Sequence, residues 1–437
     1  MRKLMVSSLI GMMLSLPMVA VAEDDTRSEP NVRTERVPAM RERAYKQLSK
    51  ARELMDAERM DEALERLSDL RDGRSSNAYE KAMAWNLTAY IAYEKGDEKG
   101  AIKAYQQVLA QSAIPASLRQ HTLYALAQMY MSTSQWKAAV GTLEDWFKIA
   151  DEPTTDAYLL LGSAYYQLED YTRALRPIEK AVADARAKGQ VPKENALLLL
   201  RSIYYSQNDY KKMADVLKTL CQNYSKREYW IQLAAAYGET DRQSKQLAAM
   251  MAAHDLGLFS AESDYLALSQ LLMAADVPFR AAQILQEGMD KNVVERNLRS
   301  LRQLADAWVL AKDYDQAIEA LQAASKAGGD AQLTLRLAQM LYEEGRYSDA
   351  VAAADRALGK GGAADQDQVY VIKGLALYEL ERFGDARTAF GQAAKYEGSR
   401  QVAQQWLAYL QKEQERRDAL REIREAASAG RRVASSS

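Results

Sequence analysis

One position returns along this chain at nearly constant intervals. Ala63, Ala101, Ala139, Ala174, Met213, Gln246, Ala281, Ala317, Ala350 and Ala386 stand 38, 38, 35, 39, 33, 35, 36, 33 and 36 residues apart. Eight of the ten are alanine, and each follows shortly after a turn signal such as Gly96-Asp97, Asp209-Tyr210 or Gly345-Arg346. A period in this range marks one supersecondary unit used many times, each unit burying its apolar face against the next. The period therefore constrains the fold before composition is consulted.

Within a unit the apolar spacing is helical. Between Tyr158 and Ala181 the large or small residues are Leu161-Gly162, Tyr165, Tyr171, Ala174, Ile178 and Ala181. Leu161, Gly162 and Tyr165 share one helix face, and Ala174, Ile178 and Ala181 share another. Gly162 and Ala174 let the two backbones approach, and Tyr171 lies at the turn between them. This pattern resembles the tetratricopeptide repeat, a helix–turn–helix unit. The resemblance spans residues 40–400. It implies an all-α fold: a right-handed superhelical solenoid of about ten tetratricopeptide helix pairs. Residues 401–425 then read as a C-terminal capping helix that offers Val402, Trp406, Leu407, Tyr409 and Leu410 to the last pair or to a second copy. The Ala/Ser/Gly-rich residues 426–437 read as a disordered tail.

The first 22 residues have a different purpose. Arg2-Lys3 form a short basic start, Leu4 to Leu16 an apolar stretch, and Ala20-Val21-Ala22 a small-residue cleavage site. This is the pattern of a secretory signal peptide cut after Ala22, and the stretch is shorter than a membrane span requires. Residues 23–39 are charged, contain Pro30 and lack apolar periodicity, as a flexible lead-in does.

Composition argues against most chemistry. Fifty-eight Lys and Arg against sixty Asp and Glu leave a net charge of −2, without the basic excess that nucleic-acid binding needs. A single Cys forbids an internal disulfide or a multi-thiolate site. Cys221 sits near the end of a second helix, His121 near the start of a first helix and His254 at the end of a second, with no ligand spacing among them. Gly359-Lys360-Gly361-Gly362 follows a helix rather than a strand, so it reads as an inter-repeat turn and not a phosphate loop. The expectation is a non-enzyme with no catalytic residue, metal or cofactor, acting through a surface on protein partners.

The family frame places that surface on the inner face, at first-helix positions turned away from the second helix. Carried over residue by residue, it gives Asn86, Tyr90 and Tyr93, then Tyr124, Gln128 and Met131, then Leu159, Ser163 and Tyr166. Tyr205, Tyr342 and Tyr378 follow at the slot of Tyr93 and Tyr166, with Arg302, Asp306 and Gln339 at inner positions of later units. Two roles suit the recurring tyrosines: filling the curved wall between units, or lining a groove for an extended or helical peptide. Asn86 and Tyr90 stand where some family members carry the Lys and Asn of a carboxylate clamp, so a receptor for C-terminal carboxylates does not match.

A narrower resemblance rests on Arg36-Val37-Pro38-Ala39-Met40-Arg41-Glu42, Met83-Ala84-Trp85-Asn86, Ala113-Ile114-Pro115-Ala116 and the Trp136…Trp146 pair. With the leader and ten units, these are similar to the periplasmic repeat protein associated with TonB–ExbB–ExbD systems of Gram-negative bacteria. That resemblance implies a periplasmic accessory of TonB-dependent uptake, as for iron-siderophore or haem, with TonB, ExbB or ExbD as partners. A scaffold for envelope, cell-wall or polysaccharide-export assembly is the alternative on the same fold.

Overall fold

The computed structural model describes residues 39–360 and 365–434. The expected leader, all but the last residue of the lead-in, Gly361 and Gly362 therefore lie outside the described residues. Among those described there are twenty-one α-helices and no strand. They run as ten consecutive pairs: α1 (Glu42–Asp56) and α2 (Met60–Asp72), α3 (Ala78–Glu94) and α4 (Glu98–Leu109), α5 (Ala116–Ser132) and α6 (Trp136–Ile149). Next come α7 (Thr155–Gln167) and α8 (Tyr171–Ala187), α9 (Glu194–Ser206) and α10 (Tyr210–Tyr224), α11 (Arg227–Gly238) and α12 (Gln243–Asp255), α13 (Glu262–Ala274) and α14 (Pro278–Asp290). Then follow α15 (Leu298–Leu310) and α16 (Tyr314–Lys326), α17 (Ala331–Glu343) and α18 (Tyr347–Gly359), α19 (Gln366–Glu379) and α20 (Phe383–Ala393), and last α21 (Arg400–Ala434). The chain divides into two compact units, Met1–Pro177 and Ile178–Ser437, with the division inside α8 at its internal Pro177. Within each unit successive helices pack on one another, which is the neighbour-only contact of a repeat array.

The period is written most regularly in the backbone. Each of the ten turns inside a pair contains one residue in the left-handed region, always five positions before the repeated small residue. These are Glu58, Gly96, Ser134, Glu169, Asn208, Asp241, Asp276, Lys312, Gly345 and Glu381, with φ between +54° and +76°. The next residue's N–H bonds the carbonyl five residues back, from Arg59 to Leu54 (2.8 Å) through to Arg382 and Leu377 (2.9 Å). This is the 6→1 bond of a Schellman turn, which satisfies carbonyls that a helix end leaves open. The donor residue then caps the second helix, and Asp97, Asp209 and Asp313 each accept an N–H from its first turn. Only two of the ten left-handed residues are glycine. The other eight carry a Cβ in a conformation that costs about 1 kcal/mol or more, so packing of the pair outweighs local preference at those turns.

Packing explains the residue that repeats. Ala63, Ala101, Ala139, Ala174, Ala281, Ala317, Ala350 and Ala386 are all fully buried, where a side chain larger than methyl would push the helices apart. In the sixth pair the sizes are exchanged. Gln246 is half-buried, and Gly238 on α11 makes room, since a Cβ there would lie 2.9 Å from the Gln246 amide. Gly374 marks a similarly close approach of α19 and α20, because a Cβ would fall 2.8 Å from the Phe390 ring.

A second recurrent device ties one pair to the next. The residue five positions after the small one faces the following first helix. Gln106 donates to the Tyr130 hydroxyl (2.8 Å), Tyr165 donates to Glu144, Tyr204 donates to Glu179 (2.6 Å), and Asp355 accepts from Lys373 (2.6 Å). Arg173 and Lys212 lie over the rings of Tyr165 and Tyr204. Burial together with the facing Glu144 pushes the Tyr165 hydroxyl up to about 12. The equivalent position of the eighth pair is Trp308, whose buried Nε1 has no hydrogen-bond partner among the described residues.

The C-terminal helix caps the array as expected and then goes further. Ala403 and Leu410 are buried, and the Trp406 ring stacks on Phe390 at 5.4 Å and 4°. These residues thus serve the last pair. Residues 426–434 continue α21 as helix instead of forming a disordered tail. Good helix formers and the pairs Arg416–Glu413, Arg417–Glu413 and Arg421–Glu425 just upstream favour that continuation.

Candidate functional site

The residues singled out on the inner face do not form one site. In the first unit Tyr90 packs against the cluster built from α1, α2 and α3, whose members include Leu54, Met55 and Leu87. Its hydroxyl is pushed up by burial and by Glu94, and Tyr93 by burial, Glu94 and Glu98. Tyr124 is a packing residue: its ring lies 5.3 Å from Trp146 on α6, and burial aided by Asp156 pushes its hydroxyl up to about 12. Asn86, Gln128 and Met131 are half-buried. Leu159 is buried and Ser163 spends its hydroxyl on the Leu159 carbonyl, so neither is offered to a ligand.

The recurrence of tyrosine has a local cause. Five residues after the tyrosine slot comes the first residue of the second helix, and when that residue is aromatic the two rings meet across the turn. Tyr166 meets Tyr171 at 5.5 Å, Tyr205 meets Tyr210 at 6.3 Å, Tyr342 meets Tyr347 at 5.7 Å and Tyr378 meets Phe383 at 5.7 Å. At Tyr93 the partner position is Glu98, and no ring pair forms. The tyrosines thus close their own hairpins. Tyr205 also keeps 60% of its surface exposed. Tyr378 is covered from the other side by Trp406 (5.2 Å) and Tyr409 (5.8 Å), and its hydroxyl meets that of Tyr409 at 3.1 Å.

A concavity lies elsewhere among the described residues. A groove of about 530 Å³ opens between α15, α17 and α19. Arg302, Asp306, Asp330, Gln332, Leu333, Leu335, Arg336, Gln339, Asp365 and Gln368 line it, and none of the recurring tyrosines does. Gln332, Arg336 and Gln339 stand at i, i+4 and i+7 on α17, so one stripe of that helix spans roughly 10 Å along the groove. Arg302 pairs with Asp330 at 2.9 Å, and Arg336 pairs with Asp306. The Leu333 N–H and then Arg302 hold Asp330 below the usual carboxylate range. Two arginines against three aspartates leave the lining at −1. Gln332, Gln339 and Gln368 make no hydrogen bond among the described residues. Each amide therefore offers a donor and an acceptor to something in the groove, the two functions an extended backbone needs. Arg302, Asp306 and Gln339 were legible as inner-face positions; Gln332 and Arg336 complete the same stripe but lie outside the slots that the family frame assigns to the inner face.

The candidate reactive side chains lie far apart in the chain and share no contact among the described residues. Cys221 is buried, and burial pushes its thiol up to about 12, far from a nucleophile's range. His121 is exposed, and His254 lies between two carboxylates. No cluster of three metal-binding side chains occurs among the described residues, and no helix there is long and apolar enough to cross a membrane.

Comparison with known proteins places this architecture. A tetratricopeptide-repeat family model matches residues 48–115, 124–192 and 295–368. The unmatched middle contains the fifth to seventh pairs, where Met213 and Gln246 replace alanine. Among solved structures, that of MamA protein is 21% identical, with TM-score 0.33, over 39% of this chain and 88% of the other. A tetratricopeptide repeat protein from Parabacteroides merdae is 14% identical, with TM-score 0.34, over 61% and 99%. Naa15/Naa10 bound to HypK-THB is 15% identical, with TM-score 0.42, over 76% and 61%. No curated protein matches the sequence. The repeated pair, its Schellman turn and the matching family model together show the fold: an array of ten helix pairs similar to tetratricopeptide repeats.

Proposed function

We propose that this protein is a non-catalytic periplasmic scaffold, an accessory of a TonB energy-transduction system, whose groove over the eighth to tenth pairs holds an extended segment of a protein partner. The observation that carries the binding role is the set of three unengaged amides along a preformed groove. A rigid array loses little conformational freedom when it binds, which suits the capture of a flexible segment. Export is supported by the basic start, apolar stretch and small-residue cleavage site of residues 1–22. The TonB assignment rests on the sequence resemblance in the first third of the chain.

The test is in-cell crosslinking from a photoreactive residue at position 339 during iron-limited growth, with captured proteins identified by mass spectrometry. TonB, ExbB or ExbD should be recovered, and Arg336→Glu with Gln332→Ala should abolish the capture without loss of helical content. Recovery of wall-synthesis or secretion components instead would replace the uptake role with envelope scaffolding. Capture that survives the groove substitutions would remove the groove from the mechanism.

A further inference from the structure

The joint between the sixth and seventh pairs is built differently from its neighbours. Contact between α12 and α13 is sparse compared with that between α14 and α15 or between α18 and α19. Residues 256–261 separate the two helices, with Gly257 in the left-handed region at φ +68°. Two charged ties span the joint. On the first-helix side, Arg227 of α11 makes a bidentate pair with the buried Asp264 of α13, at 2.8 and 2.6 Å. On the second-helix side the tie is His254 of α12. Its Nδ1 lies 3.1 Å from Asp255, and its Nε2 lies 3.1 and 3.2 Å from the two oxygens of Glu287 on α14. Phe259 from the connecting loop and Tyr265 of α13 stand edge-on to the imidazole, whose side chain is 10% exposed.

Both ring nitrogens thus face carboxylate oxygens. A neutral imidazole has one N–H and satisfies one of them, leaving a lone pair against the other. The imidazolium donates to both. We infer that His254 is a proton-operated tie: charged, it donates to both carboxylates and clamps α12 to α14, and neutral, it keeps only one of the two donations and loosens that side of a thin joint while Arg227–Asp264 holds the other. The charged and titratable groups facing the ring are Asp255 on its own helix, Glu287 and its partner Lys291 (2.7 Å) on α14, and the Tyr265 phenol on α13. α11, which also packs on α12, contributes no charged partner to the ring.

Hydrogen exchange of the full chain, corrected for the intrinsic pH dependence of exchange, tests this. Between pH 5.5 and 7.5, peptides covering the last turn of α12 and the last turn of α14, which carries Glu287, should lose about tenfold in protection, in keeping with a charge-assisted hydrogen bond. Peptides from α17 to α20 should not change. His254→Gln should flatten the profile at the joint. Glu287→Gln, at a side chain one-third exposed, should flatten it too and covers the case in which the first variant folds poorly. His121 is the chain's only other histidine, so the two imidazole signals can be followed separately by NMR. A flat wild-type profile, or the same pH dependence in His254→Gln, overturns the inference.

Discussion

Acidification should loosen the first pair through Glu80, by an amount the structure sets. The Glu80 side chain is fully buried and accepts from the Arg41 backbone N–H (3.0 Å), the Arg41 guanidinium through Nε (2.9 Å) and Nη2, and the Asn77 N–H (2.9 Å). It closes the capping box of α3 while fixing the residue that begins α1. These donors, Arg41 first, outweigh burial and hold its carboxyl down to about 2, against 4.5 for a free glutamate. At ~1.4 kcal/mol per pH unit that gap is worth ~3 kcal/mol. Arg41 is 55% exposed, so solvent screening reduces the figure to ~2 kcal/mol. The folded value is depressed, so the stabilisation is complete above about pH 4.5 and is lost as pH falls toward 2. Arrays need not unfold in one step, so the assay is hydrogen exchange at α1 and the start of α3 rather than a global melt. Glu80→Gln preserves size but not charge. It should lower protection there by ~2 kcal/mol at pH 7 and converge with wild type near pH 2. A variant within ~0.5 kcal/mol of wild type at neutral pH, or parallel acid profiles, would refute the reasoning.

Other consequences concern the turns and the core. Lys312→Gly and Glu381→Gly should each raise stability by ~0.5 kcal/mol, relief of left-handed strain exceeding the added chain entropy, whereas Gly345→Ala should cost ~1 kcal/mol in urea unfolding. Gly374→Ala should cost ~1–3 kcal/mol because the methyl meets the Phe390 ring and Trp406 is stacked behind it; a neutral result would mean that α19 and α20 separate freely. Trp308→Phe removes a buried N–H without a partner and should be neutral or stabilising in thermal melts, while Trp308→Ala should cost ~3–5 kcal/mol.

How much of this was legible in advance differs between the fold and the site. Ala174 and its equivalents announced the helix pairs because close packing admits one residue size at one position, and that demand is written in every unit. Trp406 and Leu410 announced the cap for the same reason. The inner-face tyrosines were correctly aligned with each other, yet alignment gives a residue's register and not its neighbour. Whether Tyr166 or Tyr342 is open to a ligand depends on the residue five places on, and whether Tyr378 is open depends on α21. The groove was only partly visible because it is a property of α15, α17 and α19 together: Gln332 and Gln368 hold the same place in successive units, but only the stacking of those units brings them to one groove with Arg336.

The sequence by itself determined the unit, the number of units and their boundaries, since periodic burial leaves a periodic trace in residue size and polarity. Only the tertiary structure decided which turns are left-handed, because Glu58, Lys312 and Glu381 carry no local preference strong enough to reveal it. There the packing of two helices imposes the conformation that the 6→1 bond requires. The same holds for the charged ties at Glu80 and His254. Their partners lie more than thirty residues away, and stacking of one pair on the next is what brings opposite charges within hydrogen-bond reach.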